Sequence, residues 1–496
     1  MSTRRLFVTL FLLALFTMAV RETLDPDMWW HLRTGEYILQ EGLPRQDIFS
    51  FTVPDHAWVT HEWLSQLFMW LVYQVGGLPG LIVVFAAIIT LTFGLVYLCC
   101  DGRPYLAAFV VLLAAVASAI TWGARPQMFN LLLTAVFVFV VEGVRSGRLG
   151  RRWFWLLPAL TVLWVNLHSG YLLGVVLLAT YVVGEAAEQW LGGRFPGRGT
   201  TTTTRPHLDS QSIRTLALAT GASFLAALLN PSGYVIWIYP FETLGSSAMQ
   251  AYIQEWQPPD FHFAIFWPFA ALFFLGIVSW WAGYRAGGSA PAGSDVLLFL
   301  GTGAAGLLSA RHIPLFAIVA APIVCRSLWL ALAGTRLERA LLPTTRQKPP
   351  GRVLALANWL LLLLAVLGAA LWTSSKIMAN DAAIAERYPV AAVDYLQASG
   401  LASQPGYNQY GWGGYLIWRG LPVFVDGRAD VYGDPFLFYY LQTFELADNW
   451  QEPLDDYQVA YVLMDRGSPL TTLLATSDAW REAYSDAQAQ IFVRVP

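Results

Sequence analysis

Long apolar runs recur along this chain, and their length suits one environment. Segments of about 13 to 19 residues keep returning, the longer of them enough to cross a hydrocarbon core of roughly 30 Å. A water-soluble chain of 496 residues would divide into domains with charged surfaces, but this one is 56% hydrophobic and 13% charged, with a mean hydropathy of +0.49. These proportions specify a polytopic α-helical membrane protein. The net charge of −3 selects no partner.

About eleven spans are expected, at residues 6–20, 81–98, 106–121, 128–144, 154–167, 172–190, 216–229, 263–281, 296–308, 315–332 and 354–371. Residues 63–75 are also apolar, but the stretch is short and carries Ser65, Gln66 and Gln74, so it reads as a helix lying at the interface. The first run follows Arg4 and Arg5, as in a signal peptide. Arg21-Glu22-Thr23-Leu24 stands where a small-residue cleavage site belongs, so the run is expected to be a retained span. Cys99, Cys100 and Cys325 fall at span ends and read as small packing residues rather than a disulfide framework or a zinc site.

Positive charge chooses between topologies. With 63–75 not crossing, one side collects Arg4, Arg5, Arg103, Arg145, Arg148, Arg151, Arg152, Arg194, Arg198, Arg205, Arg214, Arg285, Arg336, Arg339, Arg346, Lys348 and Arg352. Counting 63–75 as a span would move the 145–152 cluster to the other side. The first layout places the N-terminus in the cytoplasm and leaves the 21–62 loop and everything after Leu371 on the outer face. Residues 192–212, with the threonine run 200–204, and residues 289–294 read as flexible inner linkers.

After Lys376 the composition becomes that of a soluble domain of about 120 residues. Helical patterns at 390–398, 436–447 and 470–484 are interleaved with strand-like runs at 423–426, 459–464 and 490–495. The expected organisation is a membrane domain over 1–375, with its outer loop at 21–62, and a small α/β extracytoplasmic domain over 376–496.

Chemistry concentrates in the first outer loop, Asp25-Pro26-Asp27-Met28-Trp29-Trp30-His31-Leu32-Arg33-Thr34-Gly35. A carboxylate at a membrane boundary can bind a divalent metal or take a proton, and the indoles can lie at headgroup level. His61 and Glu62 close the loop, while Arg125, Asn166, His168, Asn230, Glu255, Arg311 and His312 fall at outer span ends. Singly, Arg125, His168 or Arg311 reads equally well as a helix-end residue reaching headgroups, and Asn230-Pro231 as a helix terminator. Together, acids in one loop and cations on the same face describe one polar cavity. Acids there would hold a metal or deprotonate an acceptor, and Arg and His would neutralise a phosphate leaving group. His61-Glu62 lacks the second His of a zinc protease helix.

The run from Asp27 through Trp29, Trp30 and Arg33 to Gly42 is similar in spacing to the first-loop motif of oligosaccharyltransferase catalytic subunits, where an Asp is followed by aromatics, an Arg and a closing Gly. Gly42-Leu43-Pro44-Arg45-Gln46-Asp47-Ile48-Phe49-Ser50, with Trp58 and His61-Glu62-Trp63 behind it, resembles bacterial lipid-linked-sugar transferases of the mannosyltransferase type. Both belong to the GT-C superfamily of membrane glycosyltransferases, which take a sugar from a polyprenyl-phosphate or polyprenyl-pyrophosphate carrier. The resemblance implies that Asp27, helped by Asp25, is the metal-binding and catalytic acid, with Mg or Mn as the divalent metal. Trp29, Trp30, His31, Arg33, His61, Glu62, Arg125, His168, Glu255, Arg311 and His312 would then bind substrate. It further implies an inverting transfer to an envelope acceptor at the outer face of a bacterial inner membrane, without nucleic acid. The 407–415 segment resembles the aromatic acceptor motif of oligosaccharyltransferases but lacks its Trp-Trp-Asp-Tyr-Gly order, so peptide specificity is not carried over. Asp426, Arg428 and Asp430 read either as an internal salt-bridge cluster or as a rim contacting the acceptor.

Two other classes use the same residues. A transporter or flippase of a lipid-linked substrate would use the cavity without chemistry, although the sequence has no convincing repeat with broken helices. A non-catalytic assembly protein would use the outer domain to hold an envelope partner.

Overall fold

Each of the eleven apolar stretches lies on a helix in the computed structural model, which describes residues 1–54, 56–100, 104–194, 207–287, 291–341 and 351–495. Among the described residues, eight helices are long and apolar enough to cross a membrane. The stretches at 6–20, 154–167 and 296–308 fall on shorter helices, Thr3–Ala19, Leu156–Leu167 and Gly293–Leu308. Of the two expected linkers, residues 195–206 and 289–290 lie outside the described residues, as do Arg103, Arg346 and Lys348.

Helix Ile313–Ala331 runs through the middle of the array, packed by Pro104–Ser118, Trp267–Gly287 and Gly293–Leu308. Its residues from Phe316 to Cys325 are almost wholly buried. Helix Arg352–Arg387 has the opposite character. It leans on the first helix and turns Val353, Leu356 and Leu371 outward, each more than two-thirds exposed. Such a surface is stable in lipid and not in water. All three cysteines are buried thiols.

The stretch at 63–75 is continuous in sequence with the next span but not in conformation. At Gly77 the backbone turns to φ 60°, ψ −157°, with Pro79 two residues on, and separates 63–76 from the apolar segment ending at Leu98. Only glycine adopts that conformation without strain. A second break, at Gly433 (φ 70°), divides helix Ala429–Phe444.

The C-terminal region forms a four-stranded sheet from β1 (Gly406–Asn408), β2 (Tyr461–Asp465), β3 (Trp480–Ser485) and β4 (Ala489–Arg494) in the order β1-β2-β4-β3. β1 pairs parallel with β2, and the rest is antiparallel, with Leu463 opposite Ile491. Two expectations change. Residues 423–426 form no strand; Val423 bridges Ser50 of the first loop instead. Residues 470–484 are not one helix, since Pro469–Leu474 ends early and the chain enters β3. The helix Arg352–Arg387 also runs unbroken through Lys376.

Arg145 departs from its expected role as a loop cation. Its side chain is buried and paired with Glu142, Glu185 and Asp295 at 2.6, 3.0 and 3.0 Å, while Arg326 binds Glu142 and Asp295 at 2.9 and 3.0 Å. This network ties four helices together at the end of the array where helix Gln127–Arg145 terminates.

Candidate functional site

The other end of helix Gln127–Arg145, about 28 Å away for nineteen residues at 1.5 Å each, opens into a cavity of about 1120 Å³. The first loop supplies its acids. Asp25 is the N-cap of helix Pro26–Glu41, accepting a hydrogen bond from the Asp27 N–H at 3.0 Å, and Pro26 occupies the first helical position. That cap places Asp27 in the first turn, where the helix dipole favours a negative charge. The helix is held between the 63–98 segment and helix Gly413–Trp418 of the C-terminal region.

The cations arrive from span ends. Arg125, on the turn before helix Gln127–Arg145, directs Nε to Asp25 Oδ2 at 3.2 Å, Nη2 to Glu255 Oε2 at 2.9 Å and Nη1 to Asp27 Oδ2 at 4.0 Å. Arg311 reaches Glu255 Oε1 at 3.6 Å and lies 4.5 Å above the Trp256 ring. Three carboxylates thus face two guanidiniums, leaving one negative charge in excess. Burial, then the neighbouring Asp25, pushes Asp27 up to about 7. Burial also raises Asp25, outweighing Arg125. For Glu255 burial is overcome by Arg125 and Arg311, which hold it at about 2. Trp30 donates its indole N–H to Asp27 Oδ1 at 3.1 Å.

A second group shares the cavity. Glu62 stands among three imidazoles, 3.4 Å from His61 and His168 and 3.7 Å from His31. Burial lowers His31 to about 3 and His168 to about 4, so both are neutral. His61 is the exception: burial would lower it, but Glu62 outweighs burial and raises it. The same pairing overcomes burial at Glu62 and holds it well below the carboxylate range. His61 also lies against the Tyr239 ring, whose hydroxyl donates to Asp430 at 3.0 Å.

Asp25, Asp27, Trp30, His31, His61, Glu62, Arg125, His168, Glu255 and Arg311 all line the cavity. Three expected substrate contacts do not. Trp29 is buried among Tyr388, Tyr415 and Trp418, where it joins the loop helix to the C-terminal region. Arg33 pairs with Glu36 and is 43% exposed. Neither it nor His312 is among the lining residues. Helical spacing explains Trp29 and Arg33: on helix Pro26–Glu41, only the face shared by Asp27, Trp30 and His31 meets the cavity. Trp58 likewise packs under Arg428. Asn230 does close a helix, its amide donating to Val165 O at 2.9 Å.

Sequence reasoning missed Gln127, and it marked Gln409 and Tyr410 only as members of the 407–415 segment. Each lines the cavity and carries a buried side-chain oxygen with no hydrogen-bond partner. Burial, then the charges of Asp27, Asp426 and Asp430, pushes the Tyr410 hydroxyl far up, so it is a donor. No local signal marks such residues; only their convergence does.

The Asp25–Asp27 pair fits a divalent metal poorly, because both carboxylates already face the Arg125 guanidinium. Among the described residues, the acids and imidazoles whose ligand atoms all lie within 4.8 Å of one another are Glu185, Glu188 and His207, next to the buried network at the opposite end.

No family model and no curated protein matches the sequence. Solved structures do match in fold. The oligosaccharyltransferase of Archaeoglobus fulgidus, tethered with an acceptor peptide containing the NVT sequon, superposes with a TM-score of 0.56 at 12% identity, over 100% of this chain and 74% of that one. The same enzyme in complex with Zn and sulfate gives 0.53 at 12% identity, over 99% and 73%. ArnT from Cupriavidus metallidurans in the apo state gives 0.51 at 16% identity, over 100% and 99%. In fold, this multi-pass membrane chain is similar to the GT-C glycosyltransferases.

Proposed function

We propose that the protein transfers a sugar from a polyprenyl-phosphate or polyprenyl-pyrophosphate carrier to an acceptor in the cell envelope, at the outer face of a bacterial inner membrane. The observation that carries this reading is the grouping of Asp25, Asp27 and Glu255 around Arg125, with Arg311 beside them, in one cavity. Asp27 is the general base. A carboxylate titrating near 7 is matched to removing a proton from an acceptor hydroxyl or amide at neutral pH. As that atom attacks the anomeric carbon, the bond to the lipid phosphate breaks on the opposite side, and the configuration inverts.

Arg125 and Arg311 hold the departing phosphate with N–H donors, a preorganised arrangement because Glu255 and Trp256 already fix both guanidiniums. Trp30 orients Asp27, and Gln127, Gln409 and Tyr410 offer unspent hydrogen-bonding groups to sugar or acceptor. His61, Glu62 and His168 line the acceptor side. A Mg or Mn ion at Asp25 and Asp27 would have to displace Arg125, so the mechanism assigns it no step.

The test is transfer of radiolabelled sugar from synthetic undecaprenyl-phosphate donors by purified wild type and Asp27→Asn. Transfer that disappears in the variant supports the reading. Transfer retained by Asp27→Asn, or none with any donor by a well-folded wild type, overturns it.

A further inference from the structure

The motif Asp426-Gly427-Arg428 divides into an interior and an edge. Arg428 is fully buried: Nη1 donates to Asp47 Oδ1 at 2.6 Å, Nε to Asp426 Oδ1 at 2.8 Å and Nη2 to Asp426 Oδ2 at 2.7 Å. Its guanidinium lies 5.0 and 4.7 Å from the Phe49 and Trp58 rings. Tyr432 completes Asp426 with an O–H bond of 2.6 Å, and Asp47 accepts the N–H groups of Phe49 and Ser50. Each guanidinium nitrogen and each carboxylate oxygen of the group has a partner. Such an interlocked network favours one geometry.

Between its two charged residues sits Gly427, which packs against the first-loop carboxylate with no room for a side chain. A Cβ on Gly427 would come 2.2 Å from Asp27 Oδ1 and 3.5 Å from the Trp30 indole nitrogen. A Cβ on Gly414 would come 2.3 Å from the Pro26 carbonyl. Two glycines therefore let the C-terminal backbone close directly on Pro26-Asp27. The ion cluster spans the same junction, since Asp47 belongs to the first loop and Arg428 to the C-terminal region.

We propose that the buried Asp47–Arg428–Asp426 cluster is a positioning device for Asp27. It holds the Gly427 peptide against the carboxylate, so the orientation of the base is set by a residue that never touches substrate. Arg428, with its side chain wholly buried, is thus a positioning residue, and the 427–430 segment that carries it borders the cavity. This inference rests on Asp27 being the base of the proposed reaction.

The experiment uses full-length protein in lipid nanodiscs, comparing wild type with Gly427→Ala and Arg428→Lys. Two readouts are taken: steady-state transfer from undecaprenyl-phosphate-linked radiolabelled sugar, and the rate at which a hydrophobic carbodiimide modifies Asp27, followed by mass spectrometry. Displacing a reacting group by about 1 Å costs on the order of a hundredfold, so kcat is expected to fall about ten- to a hundredfold with the donor KM kept within about twofold. The Asp27 labelling rate is expected to change at least about threefold, while Glu22 labels as in wild type. Gly427→Ala keeps the ion cluster whole and serves if Arg428→Lys does not fold. Unchanged kcat and unchanged Asp27 labelling in a folded Gly427→Ala protein would overturn the proposal. Altered labelling of Asp27 with no transfer by wild type would uphold the positioning contact and overturn the glycosyltransferase reading instead.

Discussion

Two charge clusters of similar composition sit near opposite ends of helix Gln127–Arg145, and they are built to different standards. At the Arg145 end, two arginines and three carboxylates interlock with Tyr181 and Ser294, all buried or nearly so. At the Arg125 end, two arginines and three carboxylates again meet, but Asp27 and Glu255 keep 29% and 28% of their side-chain surface and the cavity opens beside them. The first cluster has almost no space next to it, so its charges can only hold helices together. The second is open, carries unpaired oxygens on its walls and raises the proton affinity of one member. Charge pairing alone does not mark a site; incomplete pairing beside a volume does.

The comparison breaks first at its most reactive member. Asp27→Asn is expected to reduce transfer about 10²- to 10⁴-fold while leaving the folded protein intact, measured by initial rates and thermal unfolding. A stability loss as large as that from disrupting the Arg145 cluster would erase the distinction. Next in size, Arg145→Met strands buried carboxylates and is expected to cost about 3–5 kcal/mol, read from denaturant unfolding. Arg125→Met should cost clearly less stability, because its partners face the open cavity, and should lose transfer instead.

The pH dependence sharpens the same contrast. As the proposed base, Asp27 would work only when ionised, so kcat/KM should rise with pH through about 7. Removing the Asp25 charge takes away one cause of that elevation, so Asp25→Asn should move the limb to lower pH, visible in a pH–rate profile. The remaining effects are smaller. Glu255 is depressed from 4.5 to about 2, so the stability it contributes is present above 4.5 and is lost as pH falls towards 2; acid unfolding of Glu255→Gln should lack that component. Arg33→Ala, at an exposed position away from the cavity, should change stability by no more than about 0.5 kcal/mol and leave transfer unchanged.

Much of the site was legible in the sequence because its residues cluster at the ends of apolar runs. Asp25, Asp27, Arg125, Glu255 and Arg311 could be placed on one side from span counting alone. Trp29 and Arg33 lie off the cavity because helix phase, set by the Asp25 cap, turns them away from Asp27. Gln127 carries no sequence signal because uncharged polar residues at span ends are ordinary, and Gln409 and Tyr410 are marked only as members of the 407–415 segment. The apolar residues of 423–426 read as a strand, but its backbone bridges the first loop instead of joining the sheet ladder.

By itself the sequence determined the membrane-embedded helical array, the α/β character of the C-terminal region and the loop that carries the acids. These follow from local composition and period, which act over neighbouring residues. Tertiary structure alone decided that Arg428 locks onto Asp47 across 381 positions, that Gly427 closes on Asp27, and which of two similar ion clusters opens into a cavity. Such pairings depend on where distant segments come to rest, and burial then sets what each charge is able to do.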